Sequence, residues 1–360
     1  MTAHEVKLMK GNEAIADAAI KAGCRHFYGY PITPQTELLE YMSVHLPKVG
    51  GTFIQSESEV AAINMVYGAA AAGARVMTST SGPGLSLMSE GLSYLAGAEL
   101  PCVIVDVCRA GPGLGFITPS QSDYWLLTKS PGHGDFHLIV LAPNSVQEMA
   151  DMTFQAFDLA DKYRNPVALL TDGILGQMME KVQFDRKRQN KIPRKAWAAR
   201  GANKQGSRNI IKSLFVPPLD DLEAHTKHLF NKYKDILENH TQWELYRIET
   251  AEILIVAFGI ASRICLKAIQ LLQQEGVSIG MIRPITLYPF PSSIIAAAAK
   301  NVRCVEVVEM NMGQMLEDVR LAVNGLAPVE FYGRTGGTIP SVKEIMDHLR
   351  ALKKKYRHRK

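Results

Sequence analysis

The sequence predicts an α/β protein of two domains, each a parallel sheet with helices on both faces. Three observations carry this. Short β-rich runs alternate with helical stretches. The runs are apolar throughout rather than at every second residue, as strands buried on both sides require. The pattern breaks off near residue 185 and returns near residue 250.

In chain order, Asn12–Gly23 places Ala14, Ile15, Ala18 and Ala19 at helical spacing and stops on Gly23. Strands are expected over Arg75–Thr80, Pro101–Val107, His137–Ala142 and Pro166–Thr171, with helices over Leu85–Ala96 and Val146–Tyr163. These form a first domain over 1–185. Residues 186–249 read as a connector, basic at first, then Pro217-Pro218 and a polar helix from Asp220 to about Arg247. The second domain, 250–350, has strands at Glu252–Phe258, Val277–Arg283, Arg303–Glu309 and Pro328–Tyr332. Its helix Ala261–Gln274 carries Ile264, Ala268, Leu271 and Leu272 on one side, as a helix lying on a sheet does. A basic tail fills 351–360.

Composition narrows the class of protein. A hydrophobic share of 47% and a charged share of 21% belong to a globular domain with a sizeable core. Ten Lys and Arg fall within Arg186–Lys212 without one acid, and six more within Lys353–Lys360. Removing these 16 charges from the net +5 leaves −11 on the rest of the chain. Neither segment has an aromatic stacking platform or a recognition-helix pattern, so they read as solvated segments or as a patch for an acidic protein, not a nucleic-acid surface. Cys24, Cys102, Cys108, Cys265 and Cys304 include no C-x-x-C pair. An iron–sulfur cluster or structural zinc held by this chain alone is therefore not expected. The first ten residues have no apolar core, and no membrane-length apolar run follows. A cytoplasmic protein is the expectation.

Unusual residues concentrate at three strand-to-helix junctions, where parallel sheets form their ligand crevice. Tyr30-Pro-Ile-Thr-Pro-Gln35 fixes the hydroxyl of Thr33 between two prolines. The plain alternative is a rigid loop with Thr33 capping the next helix. Thr78-Ser-Thr-Ser-Gly-Pro-Gly84 is a small-residue turn whose backbone amides can approach a ligand. Asp106-Val-Cys-Arg-Ala-Gly-Pro-Gly-Leu-Gly115 puts Arg109 at the end of a buried strand. Such an arginine needs an anion, either an internal carboxylate or a ligand's. The G-P-G-L-G piece lacks the strand context and ribose-binding acid of a dinucleotide fingerprint. Ahead of the second junction stand Glu57 and Glu59, followed by a long uncharged run. Helix starts favour acids, so the plain alternative makes both dipole-compensating residues; one would suffice.

Together, "E59-V-A-A-I-N-M-V-Y-G-A…G-A-R-V…T-S-G-P-G" resembles the pyrimidine-binding domain of thiamine diphosphate enzymes. "Y-P-I-T-P" and "V-C-R-A-G-P-G" narrow the resemblance to α subunits of 2-oxoacid:ferredoxin oxidoreductases. "I-L-I-V-A-F-G", "I-R-P-I-T-L-Y-P-F-P" and "V-V-E-M-N-M-G-Q-M" are similar to the transketolase C-terminal-type domain such subunits carry. "R-A-G-P-G-L-G…P-S-Q-S-D-Y" is most similar to the type acting on 2-oxoisovalerate. The 2-oxoglutarate type shares much of the scaffold, and its second substrate carboxylate would need another cation, for which Lys129 and His133 are near in sequence.

The resemblance implies Glu59 as the carboxyl that contacts the aminopyrimidine of thiamine diphosphate, with Pro31, Ser81 and Gly82 beside the cofactor. It implies Thr33 next to the reacting centre and Arg109 on the 2-oxoacid carboxylate. It implies CoA-dependent oxidative decarboxylation to acyl-CoA, CO2 and reduced ferredoxin. The diphosphate and Mg²⁺ would be held by a β subunit. Iron–sulfur clusters would belong only to partner chains, among them γ and ferredoxin-like subunits. Thr171-Asp-Gly173 with Asn190 echoes the diphosphate motif of such enzymes, but with the wrong first residue and a short spacing. It reads as a decoy. A non-catalytic scaffold of the same fold is the remaining alternative, disfavoured by Glu59, Thr33 and Arg109 occurring together.

Overall fold

The computed structural model describes residues 4–185, 192–202, 206–212 and 220–358. Arg186, Lys187, Arg188, Asn190, Lys191 and Lys204 of the basic connector, the Pro217-Pro218 pair, and the last two residues of the tail lie outside the described residues.

The first part of the chain runs β1 (His4–Lys10), α1 (Gly11–Lys21), β2 (His26–Gly29), α2 (Thr36–His45), β3 (Thr52–Gln55), α3 (Glu59–Ala71), β4 (Val76–Thr80) and α4 (Pro83–Gly97). It continues with β5 (Val103–Ala110), β6 (Phe116–Pro119), α5 (Tyr124–Thr128), β7 (Ile139–Leu141), α6 (Val146–Tyr163), β8 (Val167–Asp172), α7 (Gly173–Gln177) and β9 (Met179–Asp185). The second part has α8 (Asp220–His240), β10 (Trp243–Tyr246), β11 (Ile253–Val256), α9 (Gly259–Gln274), β12 (Ile279–Pro284) and β13 (Thr286–Tyr288). It closes with α10 (Ser292–Ala299), β14 (Cys304–Glu309), α11 (Met315–Val323), β15 (Val329–Gly333) and α12 (Val342–Lys355).

The larger sheet has the order β13-β7-β8-β5-β4-β2-β3, with β6 hanging antiparallel on the end of β5. The strands from β7 to β3 are parallel, and every residue of β4, β5, β7 and β8 is buried. That burial is why the sequence reads as apolar runs without alternation. Being parallel, β2, β4, β5 and β8 all end on one edge, and the three unusual junctions lie there. The smaller sheet, β10-β12-β11-β14-β15, is parallel apart from β10. One apolar core runs through both sheets, from Ile15 and Phe27 to Phe258, Leu287 and Val305. β1 and β9 form a separate antiparallel pair.

Helix ends follow local chemistry. Ser145 caps α6 by accepting from the Glu148 amide at 3.1 Å, and Ser341 and Glu344 cap α12 reciprocally. Other starts depart from expectation. Thr33 does not cap α2; that helix begins at Thr36 behind Gln35, whose side chain turns elsewhere. The polar helix expected to reach Arg247 stops at His240, because residues 243–246 enter the smaller sheet as an edge strand against β12. Thr286–Tyr288 crosses the other way, pairing antiparallel with β7 in the larger sheet. The connector is less solvated than its charge suggests: buried Lys195 pairs with Asp161 at 2.6 Å, and Arg200 bonds the Ala72 carbonyl. The basic tail begins as helix, since α12 runs through Lys355 and sets three lysines against the negative end of its dipole. Among the described residues no helix is long and apolar enough to cross a membrane.

Candidate active site

The site is built around the turn Ser81-Gly82-Pro83-Gly84 between β4 and α4. Gly82 has φ +30°, a conformation that L side chains rarely adopt, and Pro83 suits the first turn of α4 because no amide partner is needed there. The hydroxyls of Thr78, Thr80 and Ser81 are buried with no hydrogen-bond partner in the protein. Three unpaired buried hydroxyls at one strand end are unusual, since such groups are nearly always satisfied.

Glu59 and Glu57 part company here. Ser58 caps α3, its hydroxyl accepting from the Ala61 amide at 3.3 Å, and Glu59 is the first helical residue. Glu59 is 4% exposed, whereas Glu57 is in solvent. Gly84 explains how the carboxyl fits, because a methyl on its Cα would overlap both the Glu59 carboxyl and the Thr80 hydroxyl. The second glycine of the turn thus makes room for the glutamate 25 positions earlier.

Arg109 approaches from the other side, its Cγ 3.8 Å from where a Gly82 Cβ would stand. It is 8% exposed. Its Nη1 donates to the Thr33 carbonyl at 3.1 Å and its Nη2 to the Leu114 carbonyl at 3.0 Å, while Nε–H has no partner. Among the described residues no carboxylate forms an ion pair with it. The Tyr30–Gln35 loop is thereby tied to the glycine-rich loop after β5. The Thr33 residue itself is exposed, and its peptide bond to Pro34 is cis. Fully buried Gln35 secures the loop, donating to the Tyr30 carbonyl at 3.1 Å and accepting from the Ser79 hydroxyl at 2.6 Å. Asn12 holds the Pro34 carbonyl at 2.9 Å. So Thr33, Arg109, Ser81, Gly82 and Glu59 meet around one turn, with Pro31 half-buried in the same loop.

Sequence reasoning passed over Asp106 and Asp123. Asp106 lies within β5, fully buried, and with Asp123 and Cys108 it forms a cluster whose oxygen and sulfur atoms lie within 4.8 Å of one another. Burial and the neighbouring Asp123 push the Asp106 carboxyl well above the usual carboxylate range, and burial also raises Asp123. An acid inside an otherwise apolar strand was the available signal.

Gln121, within the S-Q-S-D-Y stretch, keys this edge to the second part of the chain. It donates to the Phe258 carbonyl at 2.9 Å, accepts from the Met310 amide at 3.0 Å, and offers its own carbonyl to Asn311 at 2.8 Å. Glu309 accepts from the Met315 and Leu316 amides and from Asn311, and burial pushes its carboxyl up to about 7. Asp172, of the Thr171-Asp-Gly173 echo, caps α7 by accepting from Ile174 and Leu175; burial raises it to about 6. All five cysteines are buried, and none is in a disulfide. Lys129 is tied to Asp318, which also accepts from the Tyr124 hydroxyl at 2.6 Å. His133 stands edge-on to Tyr94. Two clefts of about 350 and 700 Å³ lie between α8 and residues 129–137, and neither contains Thr33, Glu59 or Arg109.

Fold and turn together define a pyrimidine-binding-type domain of thiamine diphosphate enzymes joined to a transketolase-type α/β domain. Residues 17–242 match the family described as pyruvate flavodoxin/ferredoxin oxidoreductase, thiamine diphosphate-binding, and residues 251–345 match pyruvate:ferredoxin oxidoreductase core domain II. The chain is 49% identical to ketoisovalerate oxidoreductase subunit VorB of Methanothermobacter thermautotrophicus, covering 96% of this chain and 97% of that one. It is 38% identical to 2-oxoglutarate synthase subunit KorA of Methanothermobacter marburgensis, covering 97% of this chain and all of that one. A solved 2-oxoglutarate:ferredoxin oxidoreductase from Magnetococcus marinus superposes with a TM-score of 0.85 at 32% identity, covering 96% of this chain and 65% of that one. The chain belongs to the 2-oxoacid:ferredoxin oxidoreductase family, as an α-type subunit.

Proposed function

We propose that this chain is the α subunit of a 2-oxoacid:ferredoxin oxidoreductase acting on branched-chain 2-oxoacids such as 2-oxoisovalerate. The complex would yield acyl-CoA, CO2 and reduced ferredoxin. One observation carries the reading: Glu59 and Arg109 flank a single turn, the first seated against Gly84, the second free of any carboxylate partner among the described residues. Thiamine diphosphate, when bound, supplies the electron sink that no side chain offers to a carbonyl carbon losing CO2.

The chain's own residues would do the following. Glu59, at the closed end of the turn, would present its carboxyl to the ring nitrogen of the aminopyrimidine. The bare Gly82 and Ser81 backbone lets the cofactor approach, and the unpaired hydroxyls of Thr78, Thr80 and Ser81 are suited to it. Pro31 and Thr33 form the opposite wall. Arg109, fixed by two backbone carbonyls, keeps Nε–H available for the substrate carboxylate, and a planar fork suits that anion. These residues supply the pyrimidine half of a site. A β subunit would supply the diphosphate and Mg²⁺ half, and γ and ferredoxin-like chains the iron–sulfur clusters, since all five cysteines here are buried and scattered.

The 2-oxoglutarate reading needs a second cation for the substrate's side-chain carboxylate. Lys129 is engaged by Asp318, and His133 lies beside Tyr94 on the flank of α4. The higher identity to the ketoisovalerate relative points the same way. The test is CoA-dependent ferredoxin reduction by the complex purified from its source. A kcat/KM for 2-oxoisovalerate above that for 2-oxoglutarate is expected; the reverse order overturns the substrate assignment. A cytoplasmic location goes with this chemistry.

A further inference from the structure

We propose that Asp106 and Asp123 are a positioning pair that shares one proton and carries a single negative charge behind Arg109, fixing the Gly82 turn. Its role in catalysis rests on the α-subunit reading above; the shared proton does not.

Asp106 sits on the central strand β5 with no solvent exposure, and neither of its carboxyl oxygens has a partner in the protein. Asp123 Oδ2, beside it, is equally unpaired. Two carboxyls with unpartnered buried oxygens within 4.8 Å of each other are satisfied together by one proton, which makes one the donor and the other the acceptor. Two ionised carboxylates so placed would repel in a poorly screened interior, and among the described residues neither forms an ion pair with a lysine or arginine.

The groups facing the pair set its charge. From β5 come Cys108, whose thiol burial pushes well above its usual range, and Arg109, whose positive field lowers Asp123. From the start of α5 comes Ser122, its hydroxyl 4.0 Å from the Cys108 sulfur. From the start of α4 comes the Gly82 amide, which faces both carboxyls without a well-aligned bond to Asp106. From β8, Asp172 stands opposite Cys108 in the ladder, and from β4, Thr80 stands opposite Asp106. A positive guanidinium on one side and an acid on the other favour one retained negative charge over none or two. A metal ion is the competing explanation for two carboxylates and a thiol. The protonated thiol and the adjacent guanidinium argue against it.

Geometry gives the pair its work. Asp123 Oδ2 lies 3.6 Å from the place of a Gly82 Cβ and the Arg109 Cγ lies 3.8 Å from the same point. Asp123 also follows Gln121 by two residues, so the pair joins the Gly82 turn to the junction that Gln121 makes with Phe258 and Met310.

The experiment compares Asp123→Asn and Asp123→Leu in the assembled complex. Asparagine keeps the shape and one hydrogen between the two groups; leucine keeps neither. Asp123→Leu is expected to lower kcat/KM for the 2-oxoacid about tenfold or more, with Asp123→Asn recovering to within about threefold. Wild-type activity is expected to fall on the alkaline side as the shared proton is lost, and Asp123→Asn to lack that limb. Independently of activity, a wild-type minus Asp123→Asn infrared difference spectrum of the chain at neutral pH should show a protonated carboxylic acid carbonyl stretch, distinct from the Glu309 contribution common to both proteins. If the difference spectrum lacks that band, or if wild-type protein carries a stoichiometric metal that Asp123→Asn loses, the proposal is overturned. A band lost as expected in an inactive complex would retain the pair and reject the catalytic reading.

Discussion

The two sheets of this chain finish their strands in different ways. At the ends of β4 and β5 in the larger sheet, buried Thr78, Thr80, Ser81, Asp106 and Arg109 all have atoms without partners. At comparable places in the smaller sheet the polar groups are spoken for. Glu309 accepts three hydrogen bonds, and Arg283, on β12, forks onto Glu148 at 2.7 and 2.8 Å and reaches Glu244 at 2.8 Å. An unpaired buried polar group costs about 1–3 kcal/mol, so a cluster of them is a cost that packing alone would not retain. On the proposed function, the larger sheet's edge is the working surface and the smaller sheet a brace behind it. Glu306 on β14, with one oxygen on His348 and the other unpaired, and the Arg334 Nε just after β15 are exceptions.

Substitutions on the two edges should therefore fail differently. Glu59→Gln is expected to lower turnover by about 10²–10⁴-fold with assembly intact, because an amide cannot share a proton as a carboxyl does. Steady-state rates on the assembled complex check this; normal rates there with Glu57→Gln inactive would assign the role to the exposed neighbour. Arg109→Lys should cost about 1.5–3 kcal/mol in kcat/KM for the 2-oxoacid, leaving CoA affinity nearly unchanged, alongside any fall in Tm from the lost bonds to the Thr33 and Leu114 carbonyls. A lowered Tm with normal kinetics would make Arg109 a structural residue and erase the contrast.

Arg283→Lys sharpens the other side of it. Replacing a buried fork by a point charge should cost about 2 kcal/mol of stability, read by denaturant unfolding, with kcat unchanged in the folded fraction. The smallest effect concerns Glu309 and Asp172. Their folded-state carboxyls titrate near 7 and 6, above the ordinary range, so between about pH 4 and 7 the folded chain binds more protons than the unfolded one. Stability should fall as pH rises across that window. Glu309→Gln should flatten the slope by about 1–2 kcal/mol, as Tm against pH would reveal.

The sequence carried the buried parallel strands well, because continuous apolar runs have few other uses. Glu59 was singled out over Glu57 only through the resemblance to thiamine diphosphate enzymes, and the Gly84 contact gives its burial a steric reason. What it hid depends on the tertiary arrangement. Thr286–Tyr288 joins the larger sheet from the far side of β12, and nothing local marks a strand that changes sheets. Trp243–Tyr246 is a four-residue edge strand following a helix, too short to show a period. Thr33 looked like a helix cap, yet the backbone carbonyl of Thr33 serves Arg109 while Gln35 braces the loop. Asp106 and Asp123 were invisible as a pair because 16 residues, including a hairpin, separate them.

We propose that the strand-end edge of the larger sheet is one half of a cofactor site completed by another chain. Isothermal titration of thiamine diphosphate with Mg²⁺ tests it directly, into this chain alone and into its complex with the β subunit. Negligible heat with the isolated chain and tight, saturable binding by the complex are predicted; micromolar binding by the isolated chain would contradict the claim.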